Sequence, residues 1–334
     1  MKKPLIIIGS VILIVILLAS SLLAYVKLGL PDVGDPEDIT IERTPERIER
    51  GKYLATSVSV CMDCHAVRDW SKFSGPPVPG TLGKGGDRFD QSMGLPGVFY
   101  AKNITPFGIS RYTDGELLRV ITTGVTKEGR PMFPLMPYLY YGKMDREDIY
   151  SIIAYLRTIE PIESTIPESV ADAPFNFLIH TMPQKADFQT KPDTTDQLAY
   201  GAYVANASGC IECHSPVDKG QIIKELAFSG GREFGAPDGS VVRSANITTD
   251  NETGIGKWSR DQFIKTFKQY ADSSYVLQSV KPGEYNTIMP WTMYANMTED
   301  DLSALYTYLR SVKPVSNTVV KFTPGSQAQP VSMK

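Results

Sequence analysis

Residues 61–65 read CMDCH and residues 210–214 read CIECH, so the chain carries one five-residue pattern twice. In each copy two cysteines lie three positions apart and a histidine follows directly. The chain has only four cysteines and three histidines, and the two copies contain all the cysteines and two of the histidines. The repetition therefore accounts for nearly all of the thiol and imidazole groups that could bind a transition metal.

A C-x-x-C-H motif is the attachment sequence for c-type haem. Its two thiols form thioethers with the porphyrin, one helical turn sets their separation, and the histidine beside the ring binds the iron. We therefore predict two covalently attached haem c groups. The residues predicted to hold them are Cys61, Cys64, His65, Cys210, Cys213 and His214.

Two other uses of paired cysteines fit the pattern less well. A redox-active disulfide and half of a zinc site both use C-x-x-C. Neither use requires a histidine at the next position, and the two halves of one zinc site rarely lie in separate repeats. The motif therefore favours haem.

The repetition extends far beyond the cysteines, which indicates two tandem domains of similar fold. The matching segments, in the same order in both halves, are 47–65 with 197–214, Phe73-Ser74-Gly75 with Phe228-Ser229-Gly230, 102–105 with 245–248, 108–118 with 254–264, 135–138 with 288–291, and 152–161 with 304–314. The predicted organisation is an anchor or signal peptide (1–30), a first domain (40–160, here repeat 1), a linker (161–195), a second domain (196–316, here repeat 2) and a C-terminal tail (317–334).

Each repeat is predicted to be mainly helical, with one helix leading into the Cys motif and another closing the repeat. Apolar residues at i, i+3, i+4 and i+7 mark the closing helices. These are Ile149, Ile152, Ile153 and Leu156 in repeat 1, and Leu302, Leu305, Tyr306 and Leu309 in repeat 2. Small helical domains of this kind bury little surface on their own, so we expect the haem to complete each core.

Several local features carry structural expectations. Thr298 with Asp301, and Asp145 with Asp148, resemble capping boxes in which Asp replaces the usual Glu. Gly51 and Gly201 should mark close crossings of the first and last helices, at Tyr155 and Tyr308. In the linker, Phe175, Phe177, Leu178 and Ile179 are apolar enough to dock on a domain surface, whereas the tail beyond Lys321 should lack regular structure.

The N-terminal segment predicts export. Residues 4–26 contain no charge and follow two lysines. As a helix they would extend about 35 Å, enough to cross a bilayer. The lysines place the N-terminus in the cytoplasm, so the haem domains should lie on the periplasmic side of the inner membrane. A cleaved signal peptide is the alternative, although the apolar run is longer than such peptides use.

Methionine is the expected sixth ligand of each iron. With His65 and His214 assigned, only His180 remains, so two bis-histidine haems are impossible, and no cysteine is left for thiolate ligation. Met136 and Met289 occupy the same place in the two repeats, each followed by proline and an aromatic residue. The rivals are Met132, Met144, Met293 and Met297; a surface, packing, ligating or interdomain role remains open for His180.

Other paired residues have less specific roles. Asn103 and Asn246, and likewise Tyr112 and Trp258, could hydrogen-bond haem propionates, or could be turn formers and core aromatics. The net charge of −3 gives no basic surface for nucleic acid.

Electron transfer is the function that this ligand set favours. A His/Met pair leaves the iron without an open position, so outer-sphere electron transfer is expected rather than bond chemistry. The alternative is a dihaem redox enzyme, such as a peroxidase or a thiosulfate-oxidising cytochrome, which would need an open or labile site.

RGKYLATSVSVCMDCH, the N-I-T turn, LMPY and IIAYLR, with their second copies, resemble the class I cytochrome c module. Over residues 45–316 the chain is similar to dihaem c-type cytochromes, in particular the cytochrome c subunits of periplasmic alcohol and gluconate-type dehydrogenases. The resemblance implies helices wrapped around haem and His/Met ligation. It also implies an electron donor that is a periplasmic dehydrogenase or respiratory complex, and an acceptor that is an oxidase, a quinone or a soluble cytochrome.

Overall fold

The computed structural model describes residues 2–236 and 238–325, and these are predominantly helical. The first helix, α1 (Lys2–Gly29), contains an apolar span, Ile6–Gly29, with a mean hydropathy of 3.0. Its most apolar stretch packs against no other part of the protein. By length and composition this helix can cross a membrane or serve as a signal sequence, as the sequence predicts.

Repeat 1 is built from short helices and a two-stranded ribbon, and the linker adds a third strand. Its elements are α2 (Pro45–Tyr53), a π-helical turn (Leu54–Val58), α3 (Cys61–Cys64), β1 (Arg88–Phe89), β2 (Gly97–Tyr100), α4 (Pro106–Ile109), α5 (Asp114–Thr123), α6 (Tyr138–Tyr141) and α7 (Arg146–Leu156); the linker contains β3 (Val170–Ala171) and α8 (Phe175–Leu178).

Repeat 2 has its helices in the same order, without a counterpart of α4, and has different strands. Its elements are α9 (Gln197–Ala207), α10 (Cys210–Cys213), β4 (Val217–Asp218), β5 (Gln221–Ile222), β6 (Glu233–Gly235), β7 (Val241–Arg243), α11 (Arg260–Lys268), α12 (Trp291–Tyr294), α13 (Glu299–Ser311) and β8 (Phe322–Thr323). The strands form antiparallel sheets in the orders β1-β2-β3, β4-β5 and β6-β7-β8.

The first and last helices of each repeat cross at a glycine, as predicted. A Cβ atom at Gly51 would overlap the Ser151 carbonyl group of α7, and one at Gly201 would overlap the Ala304 carbonyl group of α13. Only glycine permits so close an approach of two helix backbones. The predicted apolar stripes of α7 and α13 are buried, except that Tyr306 is half-buried.

The two first helices differ by one residue. Eight positions separate Tyr53 from Cys61 and seven separate Tyr203 from Cys210, as the numbering shows. The π-helical turn Leu54–Val58 of repeat 1 absorbs the extra residue, whereas α9 continues as a regular helix to Ala207. One wide turn is how a helix accommodates a single inserted residue while keeping both ends in place.

Reciprocal hydrogen bonds join the two repeats. Tyr53 of repeat 1 donates to Asp301 of repeat 2 at 2.5 Å, and Tyr203 of repeat 2 donates to Asp148 of repeat 1 at 2.7 Å. Each hydroxyl also accepts from a backbone N–H at the start of the same helix, that of Thr298 or Asp145. We call these the reciprocal tyrosine contacts.

These contacts correct the capping boxes expected from the sequence. The Thr298 hydroxyl does accept from the Asp301 backbone N–H at 3.1 Å. The second bond of the predicted capping box, from the Thr298 N–H to the Asp301 carboxylate, is wrong. The Thr298 N–H donates to the hydroxyl of Tyr53 instead. Asp145 caps α7 through the Glu147 N–H, while Asp148 binds Arg50 and Tyr203.

The linker and tail carry more structure than the sequence suggests. Val170 and Ala171 pair with β2, and Phe175, Phe177 and Ile179 are half-buried while Leu178 stays exposed. The expectation of an irregular tail is wrong at Phe322–Thr323, which pairs with Val241 and Val242 of β7. Residues 326–334 lie outside the described residues.

Candidate haem-binding sites

Each Cys motif begins after a residue in the left-handed backbone conformation. Val60 has φ 41° and Gly209 has φ 62°, and the four-residue helices α3 and α10 follow them directly. Glycine adopts this conformation without strain, whereas a β-branched valine does so only when its surroundings impose it. Both motifs therefore start from the same sharp turn of the backbone.

The thiols at the start of the two motifs are kept neutral. Burial raises the pKa of Cys61 to about 12 and that of Cys210 to about 12. A redox-active C-x-x-C site works through a thiolate whose pKa is lowered, so this environment disfavours disulfide exchange. No disulfide joins Cys61 to Cys64 or Cys210 to Cys213.

The two motif histidines are oriented in the same way. His65 Nδ1 lies 2.6 Å from the Lys102 carbonyl oxygen, and His214 Nδ1 lies 2.7 Å from that of Ala245. A carbonyl oxygen only accepts, so Nδ1 carries the proton and Nε2 keeps a free lone pair. Burial lowers the pKa of both imidazoles, although the carbonyl hydrogen bonds oppose this. A neutral imidazole fixed in this tautomer is the form that binds a metal.

A matched pair of glycines binds the backbone carbonyl groups of these histidines. The Gly85 N–H donates to the His65 carbonyl oxygen at 3.0 Å, and the Gly230 N–H donates to that of His214 at 2.7 Å. Gly85 is therefore the counterpart of Gly230. The match of Phe73-Ser74-Gly75 with Phe228-Ser229-Gly230 is wrong, because residues 83–85 occupy that place in repeat 1.

A cavity of about 2010 Å³ adjoins the first motif. It is lined by Cys61, Cys64, His65 and Met136, and it reaches Cys213 of repeat 2. Its described lining does not include Cys210, His214 or Met289, although the neighbours of Met289, Ile288 and Pro290, take part. Paired thiols, an imidazole with a free Nε2 and a thioether around one largely apolar space fit a covalently bound haem.

The two predicted methionines lie in equivalent loops. Pro137 and Pro290 have φ, ψ of −78°, 51° and −80°, 64°, and each begins a four-residue helix, α6 or α12. Met136 and Met289 are half-buried beside the core. The rivals Met144 and Met297 are fully buried, as expected of packing residues, while Met132 shares the cavity wall with Met136.

A buried tyrosine ties each methionine loop to the Cys motif of its own repeat. Tyr141, at the end of α6, donates to the Ser59 carbonyl oxygen at 3.0 Å, and Tyr294, at the end of α12, donates to that of Ser208 at 2.7 Å. Ser59 and Ser208 each precede the first cysteine of a motif by two positions. Sequence reasoning missed these ties, although the tyrosines recur five positions after each methionine.

The asparagines of the N-I-T turns are turn formers. Asn103 Oδ1 accepts from the backbone and hydroxyl of Thr105, and its Nδ2 donates to the Ile162 carbonyl oxygen at 2.7 Å. Asn246 makes the same bonds to Thr248 and to the Val315 carbonyl oxygen. Both amides are thus satisfied within the protein, which favours the structural interpretation over propionate binding.

His180 lies on the wall of the large cavity. Its Nδ1 is 3.2 Å from the Phe177 carbonyl oxygen, within the half-buried linker segment that follows α8. The structure therefore gives this histidine a packing position in the linker that also borders the space next to the first motif.

Comparison with known proteins agrees with this geometry. Residues 198–313 match the model of the cytochrome c family. This part of the chain, which contains CIECH and Met289, is a cytochrome c domain, and such a domain implies covalently bound haem c.

Most of the chain is also similar to named cytochrome subunits. It is 28% identical over 292 residues to the cytochrome c subunit of a quinone alcohol dehydrogenase from Gluconacetobacter polyoxogenes, covering 83% of this chain and 58% of that protein. It is 27% identical over 300 residues to the gluconate 2-dehydrogenase cytochrome c subunit of Pantoea cypripedii, covering 84% and 63%. It is 29% identical over 278 residues to the fructose dehydrogenase cytochrome subunit of Gluconobacter japonicus, covering 79% and 52%.

The chain thus spans about six tenths or less of the length of these relatives. The resemblance expected from the sequence is confirmed at the level of a cytochrome c domain and of similarity to dehydrogenase cytochrome subunits.

Proposed function

We propose that this chain is a dihaem electron carrier, the electron-transfer subunit of a membrane-bound dehydrogenase complex. Cys61 and Cys64 would bind the first haem and Cys210 and Cys213 the second, with His65 and His214 as iron ligands. When bound, each haem iron accepts and releases one electron without bond chemistry. The chain itself has no catalytic residues in this proposal.

One observation carries the proposal. The imidazoles of His65 and His214 are fixed by hydrogen bonds from Nδ1 to equivalent carbonyl oxygens, 2.6 and 2.7 Å away. This orientation leaves Nε2 free to bind an iron. Its occurrence in both repeats supports two haems, although the cytochrome c family model matches repeat 2 alone.

Met136 and Met289 are proposed as the sixth ligands. They share one loop geometry, and Tyr141 and Tyr294 hold both loops against the Cys motifs. Thioether ligation stabilises reduced iron and raises the potential, which suits an acceptor of electrons from a dehydrogenase.

The proposed location is the inner membrane, with α1 as a single-pass anchor and both repeats in the periplasm. There the chain would pass electrons from a periplasmic dehydrogenase subunit or quinol-oxidising complex to a quinone, a soluble cytochrome or a terminal oxidase. The names of the relatives support a dehydrogenase as donor. Purification from native membranes tests this partnership, because a dehydrogenase should co-purify with the chain.

Spectroscopy of the purified full-length protein tests the haem assignment. A pyridine haemochrome assay should give two haems per chain, and one in a variant with Cys61→Ala and Cys64→Ala. Met136→Ala and Met289→Ala should each remove about half of the methionine–iron charge-transfer band of the oxidised protein, because each haem contributes one such bond. Met132→Ala is the matched control and should leave the band intact.

Two results would contradict the proposal. A single haem in the wild-type protein would remove repeat 1 or repeat 2 from the electron path. Stoichiometric carbon monoxide binding by the reduced wild-type protein would reveal an open iron site and favour the dihaem enzyme instead.

A further inference from the structure

A segment of repeat 1 reaches across to the methionine loop of repeat 2. This segment, residues 68–75, is here called the bracing segment. Two backbone hydrogen bonds fix it to repeat 2. The Phe73 N–H donates to the Gln278 carbonyl oxygen at 2.9 Å, and the Val280 N–H donates to the Ser71 carbonyl oxygen at 2.8 Å. The Phe73 ring stacks on Tyr270 with centroids 6.0 Å apart.

Ser74 is the centre of this contact and is completely buried. Its hydroxyl donates to the Met289 carbonyl oxygen at 2.6 Å and accepts from the Trp291 N–H at 3.0 Å. Its backbone N–H donates to Asn286 Oδ1 at 2.9 Å, and Asn286 Nδ2 donates to the Lys72 carbonyl oxygen at 3.1 Å. One hydroxyl of repeat 1 thus satisfies two backbone groups on either side of Pro290.

Arg68 connects the bracing segment to the first Cys motif. Its Nε donates to the Gly75 carbonyl oxygen at 2.5 Å, and its Nη2 to that of Ser74 at 2.6 Å. Its Nη1 lies 2.7 Å from Asp63 Oδ1, between Cys61 and Cys64, and its side chain is 5% exposed. A continuous set of buried polar contacts therefore runs from the first motif to Met289.

Among the described residues, no side chain of repeat 2 binds the backbone of Met136 in return. Ser229, which matches Ser74 in the sequence but not in the structure, donates to the Leu226 carbonyl oxygen within its own loop at 2.8 Å. Repeat 2 does reach α6, but at Tyr140, four positions beyond Met136: Glu212 accepts from the Tyr140 hydroxyl at 2.6 Å, and Asn206 Nδ2 donates to the Tyr140 carbonyl oxygen at 3.0 Å. Repeat 1 therefore binds the backbone of Met289, whereas repeat 2 contacts the Met136 loop only farther along α6.

We propose that Ser74 is a positioning residue through which repeat 1 holds Met289 in place as a ligand of the second haem. The inference rests on the proposed role of Met289. Loss of the Ser74 hydroxyl leaves the Met289 carbonyl oxygen and the Trp291 N–H with only their 2.8 Å hydrogen bond to each other, and it removes the side chain that holds this turn to repeat 1, which favours rearrangement of the loop. The first haem should be unaffected, because the Ser74 hydroxyl and N–H bind only Asn286, Met289 and Trp291 among the described residues.

The test compares Ser74→Ala with Ser229→Ala in the full-length holoprotein. In Ser74→Ala the charge-transfer band should fall by up to half, up to one haem per chain should bind carbon monoxide on reduction, and one of the two midpoint potentials should drop. Ser229→Ala should match the wild type in all three measurements. Haem content and circular dichroism establish that each variant has folded.

Each result has a defined meaning. Wild-type behaviour of Ser74→Ala, while Met289→Ala loses half the band, overturns the inference and leaves the proposed function standing. A full band in Met289→Ala shows that the ligand assignment itself is wrong. Should Ser74→Ala fail to fold, Asn286→Ala decides by the same criteria, because it removes the side chain that binds Ser74 and Lys72; a change at both haems in that variant also overturns the inference.

Discussion

The two repeats place an aspartate at the same point of the closing helix, but they surround it differently. Asp148 accepts from Arg50 of its own repeat at 2.7 Å and from Tyr203 of the other. Asp301 accepts from Tyr200 of its own repeat at 2.7 Å and from Tyr53 of the other at 2.5 Å. The partner from the other repeat is a tyrosine in both cases, while the partner from the same repeat is a cation in one and a phenol in the other.

This difference shows which partner of the aspartate is common to the two repeats. The tyrosine from the opposite repeat binds the carboxylate and also accepts from the backbone N–H of the residue before the closing helix, whereas the side chain from the same repeat binds the carboxylate alone. The residue before the helix-crossing glycine only binds the carboxylate, and it differs between the repeats: it is Arg50 in repeat 1 and Tyr200 in repeat 2. The two repeats thus use the same residue type for the contact between them and different residue types for the contact within each repeat.

The largest expected effect comes from the helix crossings, the feature that the repeats share. Gly201→Ala should destabilise the protein by more than about 4 kcal/mol, because its methyl group would overlap a helix backbone that has no side chain to move aside. Gly51→Ala should do the same in repeat 1. Guanidinium unfolding of the holoprotein in detergent measures both; Ala202→Gly, a neighbour off the crossing, should cost only about 1 kcal/mol. Equal costs at all three positions would refute the crossing argument.

Removal of the cation that distinguishes the repeats has the next largest effect. Arg50→Met should cost about 3 kcal/mol, because it leaves the buried Asp148 without its main counter-charge. Arg47→Met on the same helix breaks the more exposed pair with Glu147 and should cost less than about 1 kcal/mol. Unfolding at neutral pH compares the two variants.

The same pair has a defined pH dependence. Burial alone would raise the pKa of Asp148, but the hydrogen bond and charge of Arg50 outweigh it, and the pKa lies below its usual value. The stabilisation is therefore present above about pH 4 and is lost as the pH falls through the lowered pKa. The stability difference between wild type and Arg50→Met should shrink as the pH falls below that value; a constant difference would contradict this cause.

The smallest expected effect separates the two reciprocal tyrosine contacts. Tyr53→Phe should cost about 2 kcal/mol and Tyr203→Phe about 1 kcal/mol, because Asp301 would keep one hydrogen-bond donor whereas Asp148 would keep Arg50. Both tyrosines have a raised pKa owing to burial and the adjacent carboxylate, so both remain donors at neutral pH. The reverse order of the two costs would show that Arg50 does not compensate.

Local chemistry was predictable from the sequence, and contacts between the repeats were not. The Cys motifs, the Met-Pro loops and the glycine crossings each follow from neighbouring residues or from simple repetition. The spacing of Asp301 from Thr298 predicts that the Asp301 carboxylate accepts from the Thr298 N–H. The hydroxyl that takes its place belongs to Tyr53, far away in the chain. Ser74 was paired with Ser229 by letter, but the hydrogen bonds of the glycines at 85 and 230 set a different register.

The reciprocal tyrosine contacts have the form of an isologous interface, in which residue i of one unit meets residue j of the other and the reverse also holds. Two separate copies of a single-repeat ancestor would meet through such a surface as a two-fold symmetric homodimer. Joining the copies through residues 161–195 turns that association into an intramolecular one, independent of protein concentration. Each copy is then free to diverge, as Arg50 and Tyr200 have done, without loss of its partner.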